Sequence, residues 1–404
     1  MNRQEYLQEI WSPYPSAPAE ILYSGRIVLV QRKGEALFFR IERQQQISEF
    51  SVSDTALESV LQPGDLIAVD SSEKVHLLAP GSPSPSPIPL KNLQLWQKFL
   101  QEVRRFFSDN EFLEIQTPTL VVCPGTEPTL DIFSTQLQQG SIQKTLFLPT
   151  SPELHLKKSL CLGFDKVFEL KNCFRNNEFS EYHQPEFIML EWYRAYQDLQ
   201  AIELDIKDLL RFLIAQFPNE NIFTPQSYRV ATVAELFQEF AKAVITPFSN
   251  LEDYKKIALD NQLSLRGVES IDDYFFAIFI NKIEPQIPRD QILVVKDYPP
   301  FQAALARLTS TGWADRMEVY FGGLELANGF NELNDPEEQA RRFEKDLAQK
   351  KTLGKLEIPI DQEFMDLLKK GMPPSAGIAL GLERLFMTLF GIKNIKDTKL
   401  FPYL

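Results

Sequence analysis

Residues 168–196 read FELKNCFRNNEFSEYHQPEFIMLEWYRAY, and two alternating runs in this stretch predict the centre of the fold. Apolar and polar residues alternate from Val167 to about Phe174, as expected for a half-buried β-strand. Residues 176–184 are polar and are followed by a proline, so a turn or mobile loop is expected there. The alternation resumes in residues 186–196, where one face carries Phe187, Met189, Glu191 and Tyr193. The pattern predicts an antiparallel hairpin.

Two charged residues of this hairpin give the first indication of function. Glu191 lies on a largely apolar face, and a buried carboxylate is costly unless a cation pairs with it. Arg175 follows the end of the first strand, so its side chain can point along the sheet into a cleft. A hairpin whose charges simply face solvent is the alternative.

The composition limits the class of protein. The 404 residues have room for two domains, one of them with a sizeable core. The sequence contains no membrane-length apolar run and no signal-peptide core, so a cytoplasmic protein is expected. The formal net charge of −13 weighs against a large nucleic-acid footprint, because phosphate contacts need clustered Lys and Arg. The widely spaced Cys123, Cys161 and Cys173 fit neither a disulfide framework nor a zinc cluster.

Residues 1–80 are expected to form a small β-rich domain. Several short runs between residues 19 and 79 read as strands, with glycines and a Pro-Gly pair between them. Such runs predict a small, OB-like β-barrel. Residues 81–89, GSPSPSPIP, read as a stiff linker of polyproline type. A second domain is then expected over residues 90–404.

The larger domain contains helical and extended segments. Apolar residues at 3-4-3-4 spacing predict a helix from about Lys91 to Ser108, and residues 112–120 are expected to be extended. Residues 150–153 are expected to cap a second helix. Residues 200–290 read as amphipathic helices, and residues 334–338, NDPEE, predict a further helix start.

Four ordered motifs in this domain resemble those of class II aminoacyl-tRNA synthetases in their lysine-specific form. Residues 174–193 resemble motif 2, residues 377–384 (GIALGLER) motif 3, and residues 112–118 (FLEIQTP) motif 1. Residues 324–335 resemble the segment between motifs 2 and 3. The resemblance covers about residues 90–404 and implies an α+β fold with the class II antiparallel sheet flanked by helices. It also implies a homodimer, formed through the first helix and the strand after it.

The resemblance implies that ATP is bound, with Mg²⁺. Arg175 would hold the α-phosphate and the amino-acid carboxylate, and Arg384 the γ-phosphate. Both are permanent cations with planar forks that suit these oxygens, and they are the expected catalytic residues. Phe187 would stack on adenine, with His183 near the phosphates. The remaining ATP-binding candidates are Asn177, Glu178 and Gly381.

Glu318 and Glu325 are the metal candidates. Two carboxylates seven residues apart, on strands or a tight pair, could jointly hold Mg²⁺ through oxygen ligands. In the enzymes that the sequence resembles, these positions bind the magnesium of ATP. Unrelated surface carboxylates are the alternative.

A pocket for a lysine-like substrate is expected around Glu191 and Glu332. With Tyr193, these two acids could form an acidic, aromatic-walled pocket for an ammonium group. A structural ion pair with Arg194 or Lys171 is the alternative. The resemblance adds Glu153 as a contact of the amino group nearer the carboxylate. The lysine-binding candidates are Gly125, Glu153, Arg175, Glu191, Tyr193, Asn328, Phe330, Glu332 and Ala379.

The acceptor of the activated lysine separates two branches of this family. Residues 150–158, 175–194 and 323–333 are similar to the synthetase paralogues that ligate lysine, preferably (R)-β-lysine, onto a lysine of translation elongation factor P. Ala379 supports this branch, because lysyl-tRNA synthetases have Gly there and the extra methyl favours a β-amino substrate. The expected partners are then lysine or β-lysine, and elongation factor P.

Two other functions remain open. The first is a lysyl-tRNA synthetase with a shortened anticodon-binding domain. It would use Arg26, Phe38, Phe39 and Arg40 to stack on and grip single-stranded bases. Core aromatics and solvated arginines would explain the same residues. The second is a catalytically silent, synthetase-like regulatory or binding protein, which would not need both arginines and both metal candidates.

Overall fold

The computed structural model of the protein describes residues 21–43, 46–79, 81 and 90–401. The chain separates into two compact units, Met1–Leu95 and Trp96–Leu404. The segment expected to drape over the surface, residues 1–20, and most of the expected linker, residues 82–89, lie outside the described residues. Within the described part, no helix is both long and apolar enough to cross a membrane.

The N-terminal unit is a five-stranded antiparallel sheet, which confirms the small β-rich domain. Its strands are β1 (Ile21–Lys33), β2 (Ala36–Arg43), β3 (Gln46–Val52), β4 (Leu66–Asp70) and β5 (Val75–Ala79). The long β1 pairs with both β2 and β4, and the strand order β3-β2-β1-β4-β5 puts β3 and β5 at the edges. Alternate residues such as Ile27, Leu37 and Ile67 fill the core of this unit.

The larger unit is built on an eight-stranded sheet in the order β11-β12-β13-β14-β15-β10-β9-β6. Its strands are β6 (Leu113–Glu114), β9 (Lys166–Phe174), β10 (Glu186–Ala195), β11 (Ser227–Thr232), β12 (Gln291–Tyr298), β13 (Ala314–Phe321), β14 (Leu324–Asn331) and β15 (Ser375–Gly381). Only β11–β12 and β6–β9 pair in parallel among the ladders of the described strands. A separate hairpin joins β7 (Ser134–Gln139) to β8 (Ile142–Phe147). The expected α+β class is confirmed.

Helices accompany this sheet. They are α1 (Leu90–Asp109), α2 (Glu153–Cys161), α3 (Leu199–Gln216), α4 (Val233–Leu236), α5 (Leu251–Asp260), α6 (Ile271–Ile278), α7 (Pro336–Thr352), α8 (Gln362–Lys370) and α9 (Leu382–Phe390). Helix α1 matches the predicted helix, and the side chain of Asp335 caps α7 as expected. The N-cap of α2 is Pro152, so the helix is capped only through Ser151 Oγ, which accepts a hydrogen bond from the Glu153 amide.

The predicted hairpin is β9–β10, paired in register from Lys166–Arg194 to Phe174–Glu186. Trp192 is fully buried on the face away from the cleft described below, where its indole N–H donates to Asp205 of α3. Tyr193 points to the opposite face and packs in one core with residues of α2. The alternation of β10 thus puts α3 on one side of the sheet and α2, with the cleft, on the other.

Candidate active site

A cleft of about 970 Å³ opens over this face of the eight-stranded sheet. Most of the predicted site residues line it: Gly125, Glu153, Arg175, Glu178, His183, Phe187, Glu191, Glu325, Asn328, Phe330, Ala379, Gly381 and Arg384. Four predicted residues lie outside this lining, namely Asn177, Tyr193, Glu318 and Glu332. Segments far apart in sequence are therefore brought together at one cleft.

One transverse row of the sheet forms part of the cleft floor. Glu191 of β10 pairs in register with Ala379 of β15, which pairs in turn with Asn328 of β14. Residues opposite each other in an antiparallel sheet point to the same face, so the three side chains stand side by side. The methyl of Ala379 therefore lies between an acid and an amide.

Glu191 is a buried carboxylate, as its sequence context suggested. It is 1% exposed, and its Oε2 accepts a hydrogen bond of 3.1 Å from the Tyr193 hydroxyl. Burial, together with repulsion from Glu153, raises the pKa of Glu191 well above its ordinary value. The Tyr193 ring fills the space that a side chain on Gly377 would occupy. The tyrosine thus orients Glu191 instead of lining the cleft.

A buried lysine beside Glu191 was not among the predicted site residues. Lys157 of α2 has a fully buried side chain, and its Nζ lies 2.6 Å from Glu153 Oε1 and 2.5 Å from Glu332 Oε2. Burial opposes the charge on Lys157, but the two carboxylates raise its pKa above the ordinary value. The spacing of Glu153 and Lys157, four residues apart on a helix, was the available signal.

Glu332, predicted to lie in the lysine pocket, is not part of the cleft lining. Its side chain is fully buried against Lys157 and does not reach the cleft surface. The alternative partners are also engaged elsewhere, Arg194 with Asp205 and Lys171 with Glu169. Glu332 is thus part of an ion pair, but with a lysine that neither explanation had named.

Whereas Glu191 lies in the middle of β10, Arg175 lies just beyond the end of β9. It follows β9, as expected, and its guanidinium lies over the Phe187 ring, 5.2 Å from the ring centroid. Its buried Nε has no hydrogen-bond acceptor among the described residues, and Glu178 is 3.9 Å away. A buried donor without an acceptor is costly, so this group suits an incoming anion.

Arg384 and His183 are in direct contact. One Nη of Arg384 donates to the Glu325 carbonyl at 2.9 Å, and the other meets His183 Nε2. Burial, with the nearby charge of Arg384, lowers the pKa of His183 to about 4. A neutral imidazole that accepts at Nε2 carries its proton on Nδ1, which can then donate to Ser180 Oγ at 2.8 Å. His183 is therefore a neutral orienting group for Arg384.

The two metal candidates lie on the β13–β14 hairpin. Glu318 accepts hydrogen bonds from Tyr298, Tyr320 and Arg316, at 2.6–2.7 Å. Burial and repulsion from Glu318 raise the pKa of Glu325 to about 7. Carboxylates that repel each other in this way fit a divalent cation, which would relieve the excess negative charge. No cluster of three or more His, Cys, Asp or Glu suited to a metal occurs in the described chain.

Several other side chains complete the cleft or lie beside it. Asn177 points away to Asp131, with its Nδ2 2.9 Å from the carboxylate. Gly125 has a φ of 139°, and a Cβ there would overlap Glu127 and Thr150, so the backbone needs glycine. Arg316, which the sequence analysis missed, joins Asn328 to Glu318 through hydrogen bonds of 3.1 and 2.6 Å.

The cleft is thus lined by the guanidinium groups of Arg175 and Arg384 and by the carboxylates of Glu153, Glu191 and Glu325, on an antiparallel sheet that carries all four sequence motifs. Residues 87–404 match the family model "tRNA synthetases class II (D, K and N)". The chain therefore belongs to the class II tRNA synthetases of this group.

Three curated relatives show which members of this family the chain is similar to. The chain is 36% identical over 321 residues to the elongation factor P–(R)-β-lysine ligase of Hamiltonella defensa, covering 78% of this chain and 95% of the relative. The ligase of the same name from Avibacterium paragallinarum is 39% identical over 306 residues, which is 74% of this chain and 91% of that protein. The Proteus mirabilis ligase is 36% identical over 320 residues, with coverages of 78% and 95%.

Proposed function

We propose that the protein activates lysine or (R)-β-lysine with ATP as an aminoacyl-adenylate and transfers it to a lysine side chain of elongation factor P. The observation that carries this proposal is the polarity of the cleft. Glu191 lies in the middle of β10, close enough to Glu153 to be repelled by it, whereas Arg175 lies just beyond the end of β9 and Arg384 follows β15. A diamino acid placed between them would have its ammonium groups on the acids and its carboxylate toward the nucleotide.

Glu191 would bind the side-chain ammonium of the substrate, and Glu153 the amino group nearer the carboxylate. A charged hydrogen bond to a buried carboxylate is stronger than a neutral one, so this end of the cleft selects cationic side chains. Asn328, Phe330, Ala379 and Gly125 would shape the space between these acids and Arg175. Tyr193 would keep Glu191 oriented through the hydroxyl contact.

The nucleotide would occupy the arginine end. Phe187 would stack on the adenine, Arg175 would contact the α-phosphate and Arg384 the γ-phosphate. The backbone at Gly381 has no side chain to obstruct the approach of the nucleotide. Neutral His183 adds no third positive charge and holds Arg384 by accepting its N–H. Glu178 lies near enough to orient Arg175, whereas Asn177, which donates to Asp131, would support the loop beside the nucleotide instead of contacting it.

Glu318 and Glu325 would hold Mg²⁺. When bound, the ion would neutralise charge on the phosphates of ATP. Arg316 and the two tyrosines bonded to Glu318 would keep that carboxylate in place.

The proposed reaction needs no nucleophile from the protein. It needs the two substrates to be held in position for attack. A carboxylate oxygen of the substrate attacks the α-phosphorus of ATP, a new O–P bond forms, and the bond to pyrophosphate breaks. Arg175 and Arg384 stabilise the negative charge on the transferring and leaving groups. In the second step the unprotonated amine of an acceptor lysine attacks the acyl carbonyl. AMP leaves, and the amine proton passes to solvent.

The choice of acceptor is supported by the names of the relatives and by Ala379. The residues expected to contact single-stranded bases give little support for tRNA as the acceptor. Phe39 is in the core, Arg40 is paired with Glu49 and Arg26 donates to the Gly64 carbonyl. Of the two aromatics only Phe38 is exposed, at 39%, with Lys33 over its ring.

We also propose a cytoplasmic homodimer assembled through the segment after α1. Leu113, Leu120 and Val122 in this segment are 39–49% exposed, an unusual density for large apolar side chains. Analytical ultracentrifugation of the purified protein tests the dimer, and a monomer at micromolar concentration would contradict it.

The function is tested by giving the purified protein ATP, Mg²⁺ and labelled lysine isomers, with elongation factor P and lysine tRNA as parallel acceptors. Label on elongation factor P, together with ATP–pyrophosphate exchange driven by lysine, is the expected result. Efficient charging of tRNA with no label on the protein would assign the synthetase function instead. Absence of exchange with every isomer would leave a binding or regulatory role.

A further inference from the structure

Glu127 is an acid of the cleft to which the proposed function gives no role. It lies between β6 and β7, lines the cleft, and its buried Oε2 has no hydrogen-bond partner among the described residues. Burial, together with repulsion from Glu153, raises the pKa of Glu127. A buried acceptor that no donor reaches is costly, so a donor from outside the protein is the expected partner.

The donors nearest to this carboxylate are used elsewhere. Thr150 Oγ1 is close to it, because Thr150 Oγ1 and Glu127 Oε2 each lie 2.5 Å from the point that a Cβ on Gly125 would occupy. The one proton of this hydroxyl goes to the Pro124 carbonyl, at 2.7 Å. The ammonium of Lys350 donates to two backbone carbonyls, at 2.9 and 3.0 Å, and the nearer one is that of Glu127 itself. Neither side chain bonds to the Glu127 carboxylate.

Two charged residues indicate which part of a substrate would reach Glu127. Repulsion from Glu153 raises the pKa of Glu127 and attraction to Arg175 lowers it, so the carboxyl lies within electrostatic range of both. In the proposed function, Glu153 binds the amino group nearer the substrate carboxylate, and Arg175 binds that carboxylate. This amino group is on the first or second carbon from the carboxylate in α- or β-lysine. It is therefore the part of the substrate that comes closest to Glu127.

We propose that Glu127 is a specificity-determining residue that binds, together with Glu153, the amino group nearer the carboxylate of lysine or β-lysine. This inference rests on the proposed function and deepens it, because it gives that amino group a second carboxylate. An ammonium has three N–H donors and can bond to both acids, which also offsets the repulsion between them. Gly125 permits the arrangement, since a side chain there would collide with Glu127 Oε2.

The test compares lysine with 6-aminohexanoate, which keeps the carboxylate and the side-chain ammonium but lacks the amino group assigned to Glu127. ATP–pyrophosphate exchange gives the KM for lysine, and competition in the same assay gives the inhibition constant of 6-aminohexanoate. In Glu127→Gln we expect the KM for α-lysine and for (R)-β-lysine to rise at least about tenfold, because a charged hydrogen bond is lost. The inhibition constant of 6-aminohexanoate should rise less than about threefold, because this compound has no donor for residue 127.

Two kinetic results would overturn the inference. Equal increases in the KM for lysine and in the inhibition constant of 6-aminohexanoate would show that Glu127 shapes the cleft as a whole. An unchanged KM for lysine would show that Glu127 makes no contact with the substrate.

Melting temperatures without ligands test a purely structural role. Because burial and repulsion from Glu153 disfavour the ionised form of Glu127, replacing it by Gln should not lower the melting temperature at about pH 8. A marked decrease would identify Glu127 as a structural carboxyl and would contradict its assignment to the substrate.

Asp346→Asn is the matched control. Asp346 also lines the cleft, and burial with repulsion from Glu127 raises its pKa to about 6, but it accepts a hydrogen bond of 3.4 Å from Thr126 Oγ1. Its replacement should change the KM for lysine less than about threefold, because a charge without direct contact has a weak effect. An increase as large as that of Glu127→Gln would mean that the total charge of this wall matters instead of a contact, and the inference would fail.

The wild-type protein separates this inference from the proposed function. Lysine-dependent exchange by the wild-type protein, with no selective effect of Glu127→Gln, would refute the inference alone. Absence of lysine-dependent exchange in the wild-type protein would refute the proposed function, and the inference with it.

Discussion

At the scale of single residues, the substrate end of the cleft depends on how buried charges are compensated. Glu191 has only a tyrosine hydroxyl as a hydrogen-bond donor in the described structure, and burial raises its pKa. A carboxylate in this state gains most from an incoming ammonium, because the cation restores the ionised form that burial disfavours. We therefore expect Glu191 to be the acid that binds the substrate ammonium.

Replacement of Glu191 by Gln should affect lysine far more than ATP. Loss of the charge beside a buried ammonium costs about 2–4 kcal/mol, so we expect the KM for lysine to rise roughly 30- to 900-fold. Steady-state exchange assays with each substrate varied in turn measure this. Equal increases in both KM values would contradict the assignment of Glu191 to the ammonium.

Replacement of Ala379 by Gly should improve the use of α-lysine relative to β-lysine. The methyl stands between Glu191 and Asn328, and removing it would enlarge the space proposed for the amino groups of the substrate. One methyl contributes about 1–3 kcal/mol of discrimination, so the ratio of kcat/KM values should move by roughly 5- to 150-fold. The glycine also costs about 0.5–1 kcal/mol of stability in a strand, which a melting experiment separates from the kinetic effect. An equal change for both isomers would rule out a selective role.

Most of these residues could be predicted from the sequence to lie at one site, but the contacts between them could not. Motif residues such as Glu191 and Arg384 could be assigned because their type and spacing carry chemical information. The Lys157–Glu332 pair joins residues 175 positions apart, and no local pattern reports such a contact. The contact of Asn177 with Asp131 was hidden for the same reason.

At the scale of elements, the β13–β14 hairpin concentrates negative charge. The folded protein raises the pKa of Glu325 from 4.5 to about 7, through burial and repulsion from Glu318. Because the folded pKa is the higher one, its favourable contribution to stability is fully present below about pH 4.5. That contribution is lost as the pH rises through about 7.

Melting temperatures measured without ligands should therefore decrease between about pH 5 and pH 8, and Glu325→Gln should make the decrease shallower. Mg²⁺ with ATP should stabilise the wild-type protein at pH 8 more than this variant, since the ion offsets the same charge. Glu357→Gln, which removes an exposed carboxylate, is the control and should not alter the slope. An unchanged slope in Glu325→Gln would show that this carboxyl does not titrate in the range.

Helices and strands could be predicted from the sequence where one pattern of apolar residues continues through the whole element. The strict alternation of β10 and the 3-4 spacing of α1 predicted both with small errors at their ends. The region 200–290 was predicted as helical throughout, but it contains β11. That strand is a six-residue edge strand in parallel pairing, where partners from distant sequence, and not the alternation of its own residues, determine the structure.

At the scale of the whole molecule, the family match begins at residue 87 and leaves the N-terminal sheet outside it. The relatives are covered over 91–95% of their length by 74–78% of this chain. The catalytic fold of the family is therefore present without the first unit.

A protein cut to residues 90–404 should retain adenylate formation and transfer of lysine to elongation factor P. Full-length Phe38→Ala should behave similarly, and transfer should not show the steep decrease with salt that multiple phosphate contacts cause. Transfer assays at about 50 and 200 mM salt, with both proteins, measure this. Efficient tRNA charging that disappears with the N-terminal unit or with Phe38 would contradict the protein acceptor.

The burial of Lys157 also protects the enzyme from its own product. An acyl-adenylate reacts with any unprotonated primary amine within reach, and Lys157 is a primary amine bonded to Glu153 of the cleft lining. Its two ion pairs raise the pKa of Lys157, so the nitrogen lone pair stays protonated and cannot act as a nucleophile. We therefore expect these two ion pairs to keep Lys157 from being acylated, which would leave the activated lysine to an amine that arrives from outside.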